Sequence, residues 1–184
     1  MRRLKRIVGF TLIEVMIATA ILVIVASAIY GIFAGSSRFY ATTVSLEHIQ
    51  EQARRGVDQI AEELRLADQA TLVITTVSGS NQVVFRRITG FSGGAPQWSA
   101  NITWNYQTSP VDANGNGVVD EGRVVRTLNG VSITLCHNVL QGGLVFTRTG
   151  DNVLIRLTLI GLDGQGKLIQ TFAETSVTLR NSST

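Results

Sequence analysis

The sequence predicts an α+β fold, with a long N-terminal helix packed on an antiparallel β-sheet domain. Three observations carry this. No proline interrupts residues 10–66, and apolar residues recur there at helical spacing. From about residue 71 the pattern turns to β-branched, alternating segments. Clusters of Gly, Asn, Asp and Ser separate those segments, which is turn chemistry. A helix followed by a run of strands hides its apolar stripe by lying on the sheet they form.

The helix opens with a membrane half. Residues 15–34 are twenty residues without a charge, and at about 1.5 Å rise each they span roughly 30 Å, the hydrocarbon thickness of a bilayer. Arg2, Arg3, Lys5 and Arg6 precede them and should stay cytoplasmic, leaving the C-terminal body outside. A secretory signal would have a shorter apolar run with its small-residue cleavage site after it. Here the small residue comes first, in Gly9-Phe10-Thr11-Leu12-Ile13-Glu14. Gly9 has no side chain, so a protease can grip the extended backbone there. Glu14 is a carboxylate at the edge of a membrane helix, where a charge needs a partner or a function.

This junction resembles the class III leader of type IV prepilins: a basic leader, a glycine before a phenylalanine, and a glutamate at mature position five. The resemblance covers the leader and the first helix. It implies cleavage by prepilin peptidase between Gly9 and Phe10 and N-methylation of the new terminus. It also implies that Glu14 pairs with the N-terminus of a neighbouring subunit during assembly. The expected organisation is a leader peptide at 1–9, a transmembrane and assembly helix at 10–36, its amphipathic continuation at 37–66, and a β-rich periplasmic domain at 67–184. The implied partners are the membrane, other pilin-like subunits and the inner-membrane assembly platform. The rival at this point is a signal-anchored envelope protein that is never processed.

In the second half of the helix, Val44, Leu46, Ile49, Ala53, Val57, Ile60 and Leu64 form one apolar stripe. Glu47, Glu51, Arg54, Arg55, Asp58, Glu62 and Glu63 fall on the other faces, with Glu51/Arg55 and Arg54/Asp58 spaced as i,i+4 pairs. The strands are expected at 71–77, 82–88, 101–106, 123–128, 132–135, 144–148, 152–162 and 168–179. The glycine-rich stretch 90–94 reads as a loop. The long β-domain and the ending Thr175-Ser-Val-Thr-Leu-Arg-Asn resemble PilW-type minor pilins and the J pseudopilin of type II secretion. The paired C-terminal cysteines of many major pilins are absent from this chain.

Composition narrows the function. Without residues 1–9 the chain has 12 basic against 13 acidic residues, a charge of −1, so nucleic-acid binding is not indicated. The single cysteine, Cys136, excludes an intrachain disulfide and reads as a small buried hydrophobe. His48 and His137 have no triad-like neighbours, and no nucleophile motif, zinc motif or phosphate loop is present. The reading is therefore not an enzyme.

One stretch suggests calcium. Residues 112–121 read Asp-Ala-Asn-Gly-Asn-Gly-Val-Val-Asp-Glu, with oxygen ligands at EF-hand spacing. Asp112, Asn114, Asn116 and Asp120 would supply side chains, Val118 a carbonyl and Glu121 the bidentate group. Position twelve is Arg123, which departs from the pattern, and the flanking helices are missing. The competing reading is a pair of Asn-Gly turns. The function expected overall is a minor pilin or pseudopilin that primes assembly or sits at the tip of a type IV pilus or type II secretion filament. The alternative is an adhesin displayed by the same anchor, with Trp98 and Trp104 as its contact surface.

Overall fold

The computed structural model describes residues 10–77, 79–108, 121–163 and 166–179. The chain divides into two compact units, Met1–Ala41 and Thr42–Thr184. One helix, α1 (Leu12–Arg65), supplies the described regular structure of the first unit and continues into the second.

In the first unit almost every helical residue is exposed, including its long apolar run. In the second unit the stripe is buried from Ile49 onward, through Ala53, Gly56, Val57, Ile60, Ala61 and Leu64. Val44, expected on that stripe, is exposed. Glu51 and Arg55 form the expected ion pair, whereas Arg54 and Asp58 make none among the described residues. The helix ends on short i→i−3 bonds, Leu66 N–H to Glu63 O at 3.2 Å and Ala67 N–H to Leu64 O at 3.0 Å.

The strands are β1 (Val73–Val77), β2 (Ser80–Phe85), β3 (Ile88–Ser92), β4 (Ala95–Trp98), β5 (Ile102–Thr108), β6 (Glu121–Leu128), β7 (Val131–Thr149), β8 (Asn152–Leu162) and β9 (Leu168–Thr178). Seven of them form one antiparallel sheet in the order β1-β2-β5-β6-β7-β8-β9. The topology is a meander with the β3–β4 hairpin inserted between β2 and β5. That hairpin occupies the stretch expected as a loop, and its turn is Gly93-Gly94, both at positive φ. Asn129 and Gly130, at φ 54° and 76°, make the two-residue turn joining β6 to β7. This is the conformation that Asn-Gly adopts most readily.

The strands expected at 132–135 and 144–148 are one strand with a break in its middle. Asn138 and Gly142 both have positive φ, and pairing with β8 slips between Val139 and Leu144. A Cβ at Gly143 would sit 2.8 Å from the carbonyl oxygens of Leu140 and Thr158, so only glycine fits the break. Before it, β7 ladders with β6; after it, with β8. The N-terminal end of β2 then reaches the second half of β7. Gly142 N–H donates to Ser80 Oγ at 2.9 Å, and Asn81 Nδ2 donates to the Phe146 carbonyl at 3.2 Å.

The core lies between the second half of α1 and the sheet, with Trp104, Phe85, Ile60, Leu64 and Leu157 fully buried. Glu63, expected on a solvent face, is tucked under the sheet at 13% side-chain exposure. Arg126 Nε donates to both its oxygens at 2.9 Å, Trp104 Nε1 donates at 3.0 Å, and Arg87 approaches at 3.3 Å. The helix face that carries Glu63 is thereby joined to β5, to β6 and to the connection after β2.

Candidate functional site

The start of α1 is built by its own first residues. Thr11 stands at the N-cap, and its carbonyl accepts the first helical bond from Val15 N–H at 3.3 Å. Glu14 N–H donates to Thr11 Oγ at 3.3 Å, while Thr11 N–H and its hydroxyl donate to Glu14 Oε2 at 2.9 and 3.0 Å. This is a reciprocal capping box, Thr-x-x-Glu before an apolar run. The signal stands in the sequence at Thr11-Leu12-Ile13-Glu14, where the carboxylate was expected to pair with a neighbouring subunit's N-terminus and in the structure also caps its own helix. The Glu14 Oε1 atom keeps no partner among the described residues.

Phe10 precedes the cap and is 87% exposed. Phe10 lies beside the helix face formed by Glu14, Ala18 and Leu22, spaced four apart. Within α1 an 18-residue window reaches a mean hydropathy of 2.6 with none of it buried inside the chain, enough by length and composition to cross a membrane. Gly9, the other expected processing residue, lies outside the described residues.

The residues expected to hold calcium are not placed. Asp112, Asn114, Asn116, Val118 and Asp120 lie outside the described residues, and of Glu121 only its position at the start of β6 is described. The stretch connects β5 to β6, so its two ends are held side by side by the pair Thr108↔Gly122. Arg123 donates to Gln107 Oε1 at 3.2 Å across the same ladder. Gly122 allows the Tyr106 ring to lie over the backbone, since a Cβ there would come within 2.1 Å of the ring.

The remaining candidates are structural in placement. Cys136 is buried between α1 and the sheet, and burial pushes its thiol up to about 11, against a smaller opposing effect of a hydrogen bond with the Val124 backbone. Among the described residues no three His, Cys, Asp or Glu side chains are gathered as a metal site. Trp104 is wholly buried, so it contributes to the core and not to a contact surface. Trp98 is half buried, with Arg86 6.0 Å from its ring centroid.

The model of the prokaryotic N-terminal methylation motif matches residues 9–30. No curated protein and no solved structure gave a significant match to the chain. The matched segment contains the Gly9-Phe10 junction, the capping box and most of the apolar run described above. The motif implies processing by prepilin peptidase and assembly with other pilins, and the apolar helix fits membrane anchoring as in pilins. The chain thus carries the N-terminal methylation motif of type IV pilin-like proteins at the head of a long helix that packs on an antiparallel sheet, which supports a type IV pilin-like protein.

Proposed function

We propose that the chain is a minor pilin or pseudopilin, a structural subunit that primes a type IV pilus or type II secretion filament or sits at its tip. The observation that supports this most is the capped apolar helix start at Phe10–Glu14, joined to an apolar run of α1 that none of the described residues buries. Such a surface requires lipid before assembly and neighbouring helices afterwards. Prepilin peptidase cuts before Phe10, and the new α-amine is methylated. The subunit waits in the inner membrane with its β-domain in the periplasm, and the assembly platform then adds it to the filament. The open Oε1 of Glu14 is the acceptor for the terminal amine of a neighbouring subunit. The single cysteine and the long β-domain favour a minor over a major subunit. Calcium, held by Asp112, Asn114, Asn116, Val118, Asp120 and Glu121, would brace the β5–β6 connection.

Peptide mass mapping of the mature protein tests the central step. The expected N-terminus is Phe10 carrying a methyl group. A mature protein that retains Arg2–Gly9 in cells with active prepilin peptidase overturns the reading.

A further inference from the structure

The sheet leaves one long backbone edge that neither processing nor helix assembly uses. β9 ends the sheet and pairs with β8 from Leu162↔Leu168 to Asn152↔Thr178 without a register shift. Its other edge presents main-chain N–H and C=O groups with no strand beside them among the described residues. Native proteins blunt such edges with proline, lysine, bulges or short strands. β9 runs eleven residues with no proline, no lysine and no bulge, and Glu174 is its single charge. The opposite edge, β1, has five residues. Ile169, Thr171, Ala173 and Thr175, which face inward from β9, are only half buried, whereas Ile155, Leu157 and Leu159 opposite them on β8 are fully buried. One more strand would complete that cover.

The side chains of β9 specify what that strand is. The inward row reads Ile169, Thr171, Ala173, Thr175, Val177, nearly the same in both directions about Ala173. Two copies running antiparallel about Ala173 set Thr171 against Thr175 and Ile169 against Val177, pair types that stabilise neighbouring strands. On the outer face the same register sets Glu174 opposite Phe172 of the second copy. Arg156 stacks over Phe172, 4.3 Å from the ring centroid, and Glu174 makes no ion pair among the described residues. Arg156 stands opposite Glu174 on β8 of its own copy, and in this register its guanidinium, stacked on Phe172, also comes next to the Glu174 carboxylate of the other copy, so no like charges face one another. Leu168 of the second copy falls opposite Thr178, beside a cleft of about 600 Å³ lined by Glu62, Arg65, Leu66 and Ser176–Thr178.

We propose that β9 is a self-pairing edge, through which two copies of this chain join antiparallel about Ala173 into one continuous sheet. The contact is isologous, so each copy gives and receives the same groups.

Oxidative cross-linking of the full chain in membranes tests it, in a Cys136→Ala background. Directly opposed strand residues lie about 4.5–5.5 Å apart at Cα, within disulfide range. Ala173→Cys should therefore form a disulfide-linked homodimer. Thr171→Cys alone should not, because two copies of that position are offset by about 13 Å along the strands, but mixing it with Thr175→Cys should restore the link. Association through α1 alone would not produce this register. Glu174→Arg, an exposed substitution, should lower the Ala173→Cys yield about fivefold, and adding Arg156→Glu should recover it. Equal linking at positions 171 and 173, linking of position 173 only to a different protein, or no recovery by the charge swap would each overturn the proposal. Cleavage before Phe10 should be unchanged in every variant, so this result and the processing result stand apart.

Discussion

At the start of α1 the Glu14 carboxylate closes the capping box through Oε2 and leaves Oε1 open. The box offsets part of the cost of holding a charge at a membrane edge, because two donors already satisfy that oxygen. Glu14→Ala removes both the cap and the acceptor offered to a neighbouring amine. Cleaved, stable protein should accumulate in the membrane and be missing from sheared filaments, as an immunoblot of the two fractions would reveal. Normal incorporation of the Ala variant would argue against the assembly role. Thr11→Val takes away the hydroxyl, weakening the helix start by about 1 kcal/mol, while leaving the carboxylate in place. It should therefore assemble less well than wild type but better than Glu14→Ala, and Thr11→Ser should behave as wild type.

The second half of α1 is fastened to the sheet by its apolar stripe and by one carboxylate. Glu63 gathers Trp104, Arg126 and Arg87, three donors that arrive from β5, from β6 and from the connection after β2. Arg126 is itself only 14% exposed, so removing its partner strands a largely buried charge. Glu63→Ala should cost on the order of 3 kcal/mol in the unfolding free energy of residues 38–184. Glu63→Gln, which keeps an acceptor oxygen, should cost less. Urea titration followed by circular dichroism measures both. An Ala variant within about 0.5 kcal/mol of wild type would mean that the stripe alone holds the helix.

For the whole molecule, the proposed ligand is calcium at the connection between β5 and β6. The carboxylates of Asp112, Asp120 and Glu121 repel one another when crowded together, and a bound calcium ion would offset that repulsion. A ligand bound only by the folded state stabilises it by about 2.7 kcal/mol at a hundredfold excess over Kd. Residues 38–184 should melt higher in millimolar calcium than in chelator. Magnesium should substitute poorly, because it demands a tighter octahedral shell. Asp112→Ala with Asp120→Ala should abolish the difference. Identical melting of the wild-type segment with calcium and with chelator would leave the stretch as a pair of Asn-Gly turns.

The sequence by itself determined the helix, its long apolar run and the N-terminal methylation motif, because each depends on residues close together in the chain. Helical periodicity, the absence of proline from 10–66, the Gly9–Glu14 junction and the Thr11–Glu14 capping box are all local signals. Most strand positions were legible for the same reason, since alternation and turn residues are local, but the β3–β4 hairpin stands where the glycines suggested a loop. Only the tertiary structure decided which strands pair, that 132–135 and 144–148 are one broken strand, and that β9 is left at an edge. Those outcomes depend on the partners of each strand, here β6 on one side of the break in β7 and β8 on the other. Glu63 shows the same limit: a carboxylate on a helix reads as solvated until Arg126, sixty-three residues away, is folded against it.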